Sequence, residues 1–502
     1  MSVRGVFFPV SALAVLSSAW CVAQSASADS SPAQSRFAPP PANNSGVVVA
    51  PSRPPSGNFF ERLAKAYTDD WKQLPSTDAT PAFRGTPSPV DGPPYPFSDW
   101  PYGGSVVIGK PWTQSGPLMQ ALWSGPQGGG WKNSGVQIYG WVDTGFNVST
   151  SDKPGYANSP AAYAGKPNTI QGDQEVLYVE RQPNTVQTDH FDWGFRVSGL
   201  YGTDYRFTTA KGVFSEQLLK HNREYGFDPV MLYADLYFPH IAQGMDVRIG
   251  RYVSLPDIEA QLAPNNYTYS HSLTYTYDCY TQSGINATTK LNDHWMLQAG
   301  ISAGCEAVPW TRPDSKPTGN ACLGYTWKDG GDNVYLCANS INDGKYAYNN
   351  LAAYYVTWYH KINSSWHTAT ESWYQYESHT PNVLNPASAS LMETNANGAV
   401  CASPAQLTCF APEWAIVNYV EKQFSKRHYL SIRNEYFDDR RGQRTGFKTT
   451  YTEHLIGWGY WVGTTVLVRP ELRFDRSYEL PAYDNGTKKN QLMLGGDLIY
   501  FF

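Results

Sequence analysis

A repeated alternation of apolar and polar residues constrains the fold of this 502-residue chain more than any other feature. The alternation starts near residue 135 and continues to the last residue. In the final segment, QLMLGGDLIYFF, Leu494 and Leu498 fall on one face, whereas Gln491 and Asp497 fall on the other. A period of two is typical of a β-strand whose two faces meet different surroundings. We therefore expect the region 135–502 to consist of β-strands.

About sixteen segments of this kind follow one another, most of them near the nine to eleven residues that a tilted membrane strand needs. They lie near 135–149, 174–182, 191–206, 230–239, 245–252, 281–291, 294–303, 321–328, 333–341, 351–362, 365–377, 414–424, 428–438, 448–461, 464–475 and 490–502. Compact turn sequences follow the even-numbered segments from the fourth to the fourteenth, whereas longer connections follow the odd-numbered ones. The expected fold class is all-β: an antiparallel transmembrane β-barrel of about 16 strands (14–18), with short periplasmic turns and long extracellular loops. A soluble sandwich, the alternative, has no reason to sort its loops by length.

The composition fits a barrel and argues against other classes. Aromatic residues make up 15% of the chain, and aromatic girdles at the two membrane interfaces would use such a surplus. A carbohydrate-binding sandwich is the alternative explanation of the same surplus. No apolar run after residue 28 is long enough for a membrane helix. The formal net charge of −5 gives no basis for binding nucleic acid.

The N-terminal region is expected to be exported and largely irregular. Arg4, an apolar run and an A-x-A site that ends at Ala28 predict a cleaved signal peptide over residues 1–28. Residues 29–134 are rich in Pro, Gly and Ser and predict a periplasmic leader, because such a composition buries too little apolar surface to fold. The stretch 59–74 has helical spacing and predicts one short helix in the leader. This helix is either a periplasmic contact or plug, or it packs on the barrel mouth.

Six of the seven cysteines lie beyond the predicted signal peptide. An even number of cysteines in an exported chain suggests disulfides. Cys401 and Cys409 are the expected pair, since they close a short loop. The spacing of the cysteines does not suggest a zinc site, and no cofactor is predicted.

The alternation also predicts which charged residues face the barrel interior. In the segment before the last, Leu472 and Phe474 fall on the membrane row, whereas Arg473 and Asp475 fall on the opposite row. Charges on the lipid face near the midplane cost about 2–4 kcal/mol each, so their restriction to one row is informative. The predicted pore-lining residues are Arg196, Asp204, Arg206, Asp235, Arg248, Glu371, Arg433, Glu435, Arg469, Glu471, Arg473 and Asp475.

A barrel of about sixteen strands is too wide for side chains to fill, so its interior is expected to hold water. The mixture of positive and negative residues on the predicted wall argues against strong ion selectivity. Alternatively, the arginine–carboxylate pairs brace the wall, and only those near a constriction affect permeation.

Some stretches resemble a known family. The sequence from Ile249, IGRYVSLPDIEAQLAPNNYTYSHS, together with the leader fragment PYPFSDWPYGG and the first strand GWVDTGFN, resembles the β-barrel porin-2 (OmpL-like) family of outer-membrane proteins. The resemblance covers roughly residues 90–502 and is strongest over 249–300. It implies an exported outer-membrane barrel that acts as a channel, without defining the transported substrate.

By analogy with porins, whose third extracellular loop folds inward, the loop 253–280 is expected to form the constriction. Asp257, Glu259, His271 and Asp278 are its candidate residues. A loop packed outside the barrel, or against a neighbouring subunit, is the alternative.

A hydrolase hypothesis also arises from this loop, because Ser270 and Ser272 flank His271. The spacing is non-specific, however, and neither a third catalytic residue nor a nucleophile-elbow motif can be named. We therefore do not expect an enzyme.

The expected function is passive diffusion of small hydrophilic solutes or ions across the bacterial outer membrane. The alternative is a non-conducting barrel that serves adhesion or surface binding through its extracellular loops. The expected partners are outer-membrane lipid and the barrel-assembly machinery, which would recognise Tyr500 and Phe502 at the C-terminal end. A homotrimer is a further expectation, by analogy with porins of this size.

Overall fold

A computed structural model of the chain describes residues 57–72, 108, 116–215, 224–253, 257–311, 316–327, 332–347, 350–392, 397–425 and 427–502. The predicted signal peptide, 1–28, lies outside the described residues, as does much of the predicted leader. Among the described residues, no helix has the length and apolar character needed to cross a membrane.

Sixteen antiparallel strands form one closed barrel, which confirms the expected fold class. Each strand pairs with its neighbours in the sequence, and β16 closes the barrel by pairing with β1. The strands are β1 (Val136–Ser149), β2 (Thr169–Arg181), β3 (Asp192–Gly202), β4 (Gly226–Phe238), β5 (Met245–Val253), β6 (Thr281–Lys290), β7 (Trp295–Cys305), β8 (Thr318–Thr326), β9 (Asp332–Ile341), β10 (Ala352–Lys361), β11 (Trp366–Pro381), β12 (Thr408–Gln423), β13 (His428–Asp439), β14 (Thr449–Val462), β15 (Val466–Ser477) and β16 (Asn490–Phe501).

Short helices accompany the barrel. They are α1 (Phe59–Trp71), α2 (Pro117–Trp123), α3 (Gly128–Ser134), α4 (Tyr205–Thr208) and α5 (Leu273–Thr276), with 3₁₀ turns at Ala263–Asn265 and Pro386–Leu391. The helix predicted near 59–74 is present as α1, and two further short helices that the sequence did not predict, α2 and α3, precede β1. The Gly-rich sequence of this region has no helical periodicity, and both helices are only two turns long.

Strand β3 ends earlier than predicted, and this moves two candidate residues off the strand. Gly202 has a φ of +143°, and the Asp204 N–H donates to the carbonyl of Asp173 at 3.2 Å. The chain therefore turns and enters α4. The prediction that Asp204 and Arg206 lie on a strand is wrong, because a single helical turn interrupts the alternation.

The outward row of the last strands is apolar and exposed. Leu472 on β15 and Leu492, Leu494 and Leu498 on β16 are 44–53% exposed. Exposed aromatic residues occur at both ends of the strands: Trp193, Trp295, Trp327 and Trp458 at the end with the short turns, and Tyr201, Tyr225, Tyr354, Tyr374 and Tyr478 at the end with the long loops. This arrangement is typical of a barrel in a membrane.

Leu494 lies near the middle of β16 on the outward face. Replacing it with Arg is expected to lower the free energy of unfolding by about 2–4 kcal/mol, because a charge near the bilayer midplane is costly. Denaturant unfolding in lipid vesicles measures the change. Leu480→Arg is the matched control, since Leu480 is 43% exposed but lies in the loop before β16. Equal losses in the two variants would contradict the assignment of this face to lipid.

Helix α1 packs on the barrel end that carries the short turns. Its first turn is closed by a capping box between Asn58 and Glu61. The Tyr67 hydroxyl donates to the carbonyl of Phe501 at 2.9 Å, and its ring stacks on Tyr500 at 5.3 Å between centroids. Asp70 accepts hydrogen bonds from the turn between β14 and β15. Of the two alternatives for this helix, the structure therefore shows packing on the barrel mouth. It also covers one of the two predicted assembly-signal residues.

Candidate functional site in the barrel interior

The described part of the loop between β5 and β6, residues 257–280, folds into the barrel. We call this segment the inward loop. The Ile258 N–H donates to Glu371 on β11 at 3.0 Å. On another part of the wall, the side-chain amide of Gln174 on β2 donates to the Gln261 carbonyl at 2.8 Å. The inward loop therefore contacts strands that are distant from β5 and β6 in the barrel.

Wall glutamates accept hydrogen bonds from backbone N–H groups of the inward loop. Glu471 on β15 accepts from Tyr269 and Ser270 at 3.0 and 3.1 Å. Glu435 on β13 accepts from Leu273 at 2.9 Å. A buried backbone N–H needs a partner, and the inward loop has no neighbouring strand to provide one. Carboxylates serve this purpose well, because hydrogen bonds to charged acceptors are stronger than neutral ones.

Wall arginines donate to backbone carbonyls of the same loop. Arg469 on β15 donates to the carbonyls of Ala263 and Asn266 at 2.8 and 2.6 Å. Arg473, two inward positions further along β15, donates to the carbonyl of His271 at 2.6 Å. Charged side chains of both signs thus replace the hydrogen bonds that a neighbouring strand would supply.

Arg433 on β13 links the inward loop to the wall network. Its guanidinium donates to the Thr268 hydroxyl at 3.0 Å and to Glu453 on β14 at 2.7 Å. Glu453 is also 3.1 Å from the guanidinium of Arg473, and Arg473 pairs with Asp475 at 2.8 Å. The side chains of this network are fully buried. A buried charge is costly without its partners. Removing one side chain of this network would leave another charge buried and unpaired.

Two further predicted arginines brace the wall through neighbouring strands. Arg196 on β3 pairs with Glu180 on β2 at 2.6 Å. Arg248 on β5 pairs with Asp235 on β4 at 2.8 Å. All four side chains are buried. These pairs fit the bracing role that was the alternative to pore lining.

Of the two residues displaced from β3, Asp204 contacts the wall, whereas Arg206 contacts the connection between β1 and β2. Asp204 accepts from the side-chain amide of Gln174 at 2.8 Å. Burial and the charge of Asp173 raise the pKa of Asp204 well above its ordinary value. Arg206 is half-buried, and its guanidinium lies 4.9 Å from the ring centre of Tyr156.

Glu259 is a charged centre within the inward loop. Its carboxylate lies 3.3 Å from His271 Nδ1 and 3.9 Å from the Arg433 guanidinium, and it accepts from the Ser272 N–H at 3.1 Å. Burial alone would raise the pKa of Glu259, but these partners lower it to about 2. These partners therefore favour the ionised form of the carboxylate.

The residues of the hydrolase hypothesis have other partners. His271 stacks on the ring of Tyr275 at 4.9 Å, and burial lowers its pKa. The Ser272 hydroxyl accepts from the Tyr275 N–H at 3.0 Å and caps α5. The Ser270 hydroxyl accepts from Arg433 at 3.2 Å. These contacts give both serines structural roles.

Asp257 and Asp278 lie at opposite ends of the described inward loop, but the fold brings them together. Their carboxylates and that of Glu371 offer oxygen atoms that all lie within 4.8 Å of one another. All three side chains are buried. The sequence alone could not group these residues, because Glu371 lies 93 positions after Asp278.

Acidic side chains dominate the buried charges. Among the described residues, 22 Asp and Glu side chains are buried, against six Arg and no Lys. The mixture of signs that the sequence predicts for the wall rests on six basic and six acidic residues. The structure adds buried acidic residues from other strands, including Asp143 on β1, Asp173 on β2, and Glu413 and Glu421 on β12.

Three disulfides are present among the described residues: two hold extracellular connections, and one joins directly paired residues of β8 and β9. They join Cys279 to Cys305, Cys322 to Cys337, and Cys401 to Cys409. The first ties the end of the inward loop to the end of β7. The last is the pair that the sequence singles out.

The sequence does not identify the uncharged wall residues that hold the inward loop. Trp373 Nε1 donates to the Thr274 carbonyl at 2.9 Å, and the Tyr429 hydroxyl donates to the Tyr267 carbonyl at 2.8 Å. Both lie on inward positions of their strands, so the alternation identifies their face. It gives no reason to select them from the other inward aromatic residues.

The chain is similar to a known protein family and to several solved structures. The family model described as "Putative beta-barrel porin-2, OmpL-like" matches residues 135–502. A search of curated proteins found no match to the chain.

Three of the similar solved structures come from three bacteria. The anion-selective porin from Comamonas acidovorans is 10% identical, with 73% of this chain and 99% of that chain covered and a TM-score of 0.48. The outer membrane channel DcaP of Acinetobacter baumannii is 9% identical, with coverages of 73% and 97% and a TM-score of 0.45. The trimer form of OmpT from Vibrio cholerae is 12% identical, with coverages of 73% and 99% and a TM-score of 0.44.

Proposed function

The chain belongs to the putative beta-barrel porin-2, OmpL-like family, and on this premise we propose that small hydrophilic solutes, cations above all, diffuse through its barrel. The protein is an outer-membrane β-barrel of the porin type. The passage of solutes and the preference for cations are the proposal. The observation that carries it is the set of buried carboxylates on the inward face of the wall.

Several of these carboxylates need water. Both carboxylate oxygens of Asp246 on β5 and of Glu413 on β12 are buried without a protein hydrogen-bond partner in the described structure, and so is Oε2 of Glu421 on β12. An ionised carboxylate in a dry interior is very costly, and buried polar groups without protein partners are usually hydrated. Glu413 and Glu421 lie near opposite ends of β12, so this argument supports water along much of the barrel height.

The inward loop is the proposed constriction. It is held by Glu371, Glu435 and Glu471 through its N–H groups and by arginines through its carbonyls. A segment fixed on several sides narrows the path without needing to move. Asp257, Glu259, His271 and Asp278 belong to this segment and are proposed to shape the path near its narrowest part.

The excess of buried acids predicts a preference for cations. In a planar bilayer with a KCl gradient, the reversal potential is expected to show that K⁺ is more permeant than Cl⁻, because wall charges select ions of opposite sign. The double variant Glu413→Gln/Glu421→Gln is expected to weaken this preference. Arg440→Gln, a change at an exposed position outside the lumen, is the control and is expected to leave it unchanged. A preference for Cl⁻ in the wild-type protein would contradict the proposal.

The alternative function is surface binding by a non-conducting barrel. One observation favours it: a pocket of about 740 Å³ lies between the outer ends of β12, β13 and β14. Its lining includes Phe410, Arg440, Lys448 and Glu479. A folded protein that does not conduct would favour this function. The homotrimer and recognition by the barrel-assembly machinery stay predictions.

A further inference from the structure

The geometry points to a divalent-cation site formed by Asp257, Asp278 and Glu371, which would fasten both ends of the inward loop to the wall. The three carboxylates converge from separate elements. Asp257 begins the described loop, Asp278 lies near its end, and Glu371 lies on β11. Their nearest oxygen atoms lie within 4.8 Å of one another. The inference concerns metal binding and holds whether or not the barrel conducts.

Charge balance is the first argument for a bound cation. Three buried carboxylates at this distance repel one another, and the cost of burial favours a counter-charge or protonation. Among the described residues, no Lys or Arg forms an ion pair with any of the three, although the charge of Arg444 acts on Asp278 from a greater distance. A cation would relieve this repulsion and keep the carboxylates ionised.

Free ligand atoms are the second argument. Oε1 of Glu371 and Oδ1 of Asp278 are buried and have no hydrogen-bond partner in the described structure. The other Glu371 oxygen accepts from the Ile258 N–H at 3.0 Å, which fixes the carboxylate in place. Each of the two acids therefore keeps one oxygen available for a metal ion.

Tyr355 on β10 provides an independent observation. Its side chain is 5% exposed, and its hydroxyl oxygen has no side-chain hydrogen-bond partner in the described structure, although it interacts with the backbone of Cys279. Its main electrostatic interactions are with Asp278, Glu371 and Asp257. A neutral polar group beside three acids adds an oxygen to the site without adding charge.

The ligand set favours Ca²⁺. All donors are oxygen atoms, and hard cations prefer such ligands over nitrogen or sulfur. Ca²⁺ accepts irregular arrangements of six to eight oxygen atoms, whereas Mg²⁺ demands near-ideal octahedral geometry. The donors come from two ends of a loop and from a strand. Such an irregular arrangement favours Ca²⁺ over Mg²⁺. Water would complete the coordination.

Calorimetric titration of the refolded protein in detergent tests the inference. Refolding from purified, unfolded chain avoids lipopolysaccharide, and EDTA followed by gel filtration removes bound metal. Titration with CaCl₂ is expected to show saturable binding of one ion per chain, with weaker binding of MgCl₂. Glu371→Gln is expected to weaken Ca²⁺ binding by at least about tenfold, since even changes to groups behind the ligands cost that much.

Glu377→Gln is the matched control. Glu377 lies on the same strand and is buried, but it accepts from Gln443 at 2.7 Å and lies outside the cluster. This variant is expected to bind Ca²⁺ like the wild-type protein. If Glu371→Gln does not fold, Asp278→Asn on the loop makes the same test. The inference is overturned if the wild-type protein shows no saturable Ca²⁺ binding, or if the cluster variants bind as tightly as the wild-type protein.

Discussion

Arg433→Met is expected to lower the free energy of unfolding by about 3–5 kcal/mol, because it breaks a buried charge network. Arg433 contacts Glu453 on the wall and Thr268 on the inward loop, and its side chain is fully buried. Methionine fills much of the volume but offers no donor. Glu453 would keep only the more distant of its two guanidinium partners, that of Arg473 at 3.1 Å.

Denaturant unfolding in detergent, followed by tryptophan fluorescence, measures this loss. Arg440→Met is the control, since Arg440 pairs with Asp438 at 2.7 Å but is 64% exposed. An exposed ion pair contributes about 0–1 kcal/mol. If Arg433→Met lost no more stability than Arg440→Met, the wall network would not stabilise the barrel.

The double variant Glu435→Ala/Glu471→Ala is expected to release the inward loop and raise the single-channel conductance. Each hydrogen bond to a charged group contributes about 1.5–3 kcal/mol, and this variant removes several of them at once. The N–H groups of Tyr269, Ser270 and Leu273 would lose their acceptors. Water can replace these acceptors only if the loop moves, and a displaced loop leaves a wider path.

Glu413→Ala/Glu421→Ala is the matched control for this change. It removes the same charge from the inward face, but neither glutamate forms a hydrogen bond with the inward loop in the described structure. Its conductance is expected to change less than that of the loop variant. Equal conductance changes in both double variants would show that the conductance depends on the wall charge rather than on the position of the inward loop.

The sequence predicts the barrel well because one physical rule acts along its whole length. Charged residues cannot face lipid without a large cost, so Arg469, Glu471, Arg473 and Asp475 must share the inward row of β15. The same rule places Leu494 outward on β16. Boundaries are less certain, since a strand that extends beyond the membrane no longer needs an apolar face. Strands β2 and β12 accordingly begin five and six residues before their predicted starts, at Thr169 and Thr408.

The candidate site is less predictable, because it depends on which strands face each other across the barrel. Ile258 and its acceptor Glu371 lie 113 positions apart, and no local pattern joins them. The alternation gives the side of the wall on which Glu371 lies, but not its neighbours in the interior. It also cannot distinguish a strand from a single helical turn, which explains the misplacement of Asp204 and Arg206.

Single-channel recording of the refolded wild-type protein in a planar bilayer tests the proposed function most directly. Heat-modifiable mobility on gels would first establish that the preparation is folded. The proposed function predicts stepwise conductance in KCl, with a reversal potential that favours cations. Membranes that stay silent with folded protein inserted would contradict diffusion through the barrel and leave surface binding as the better explanation.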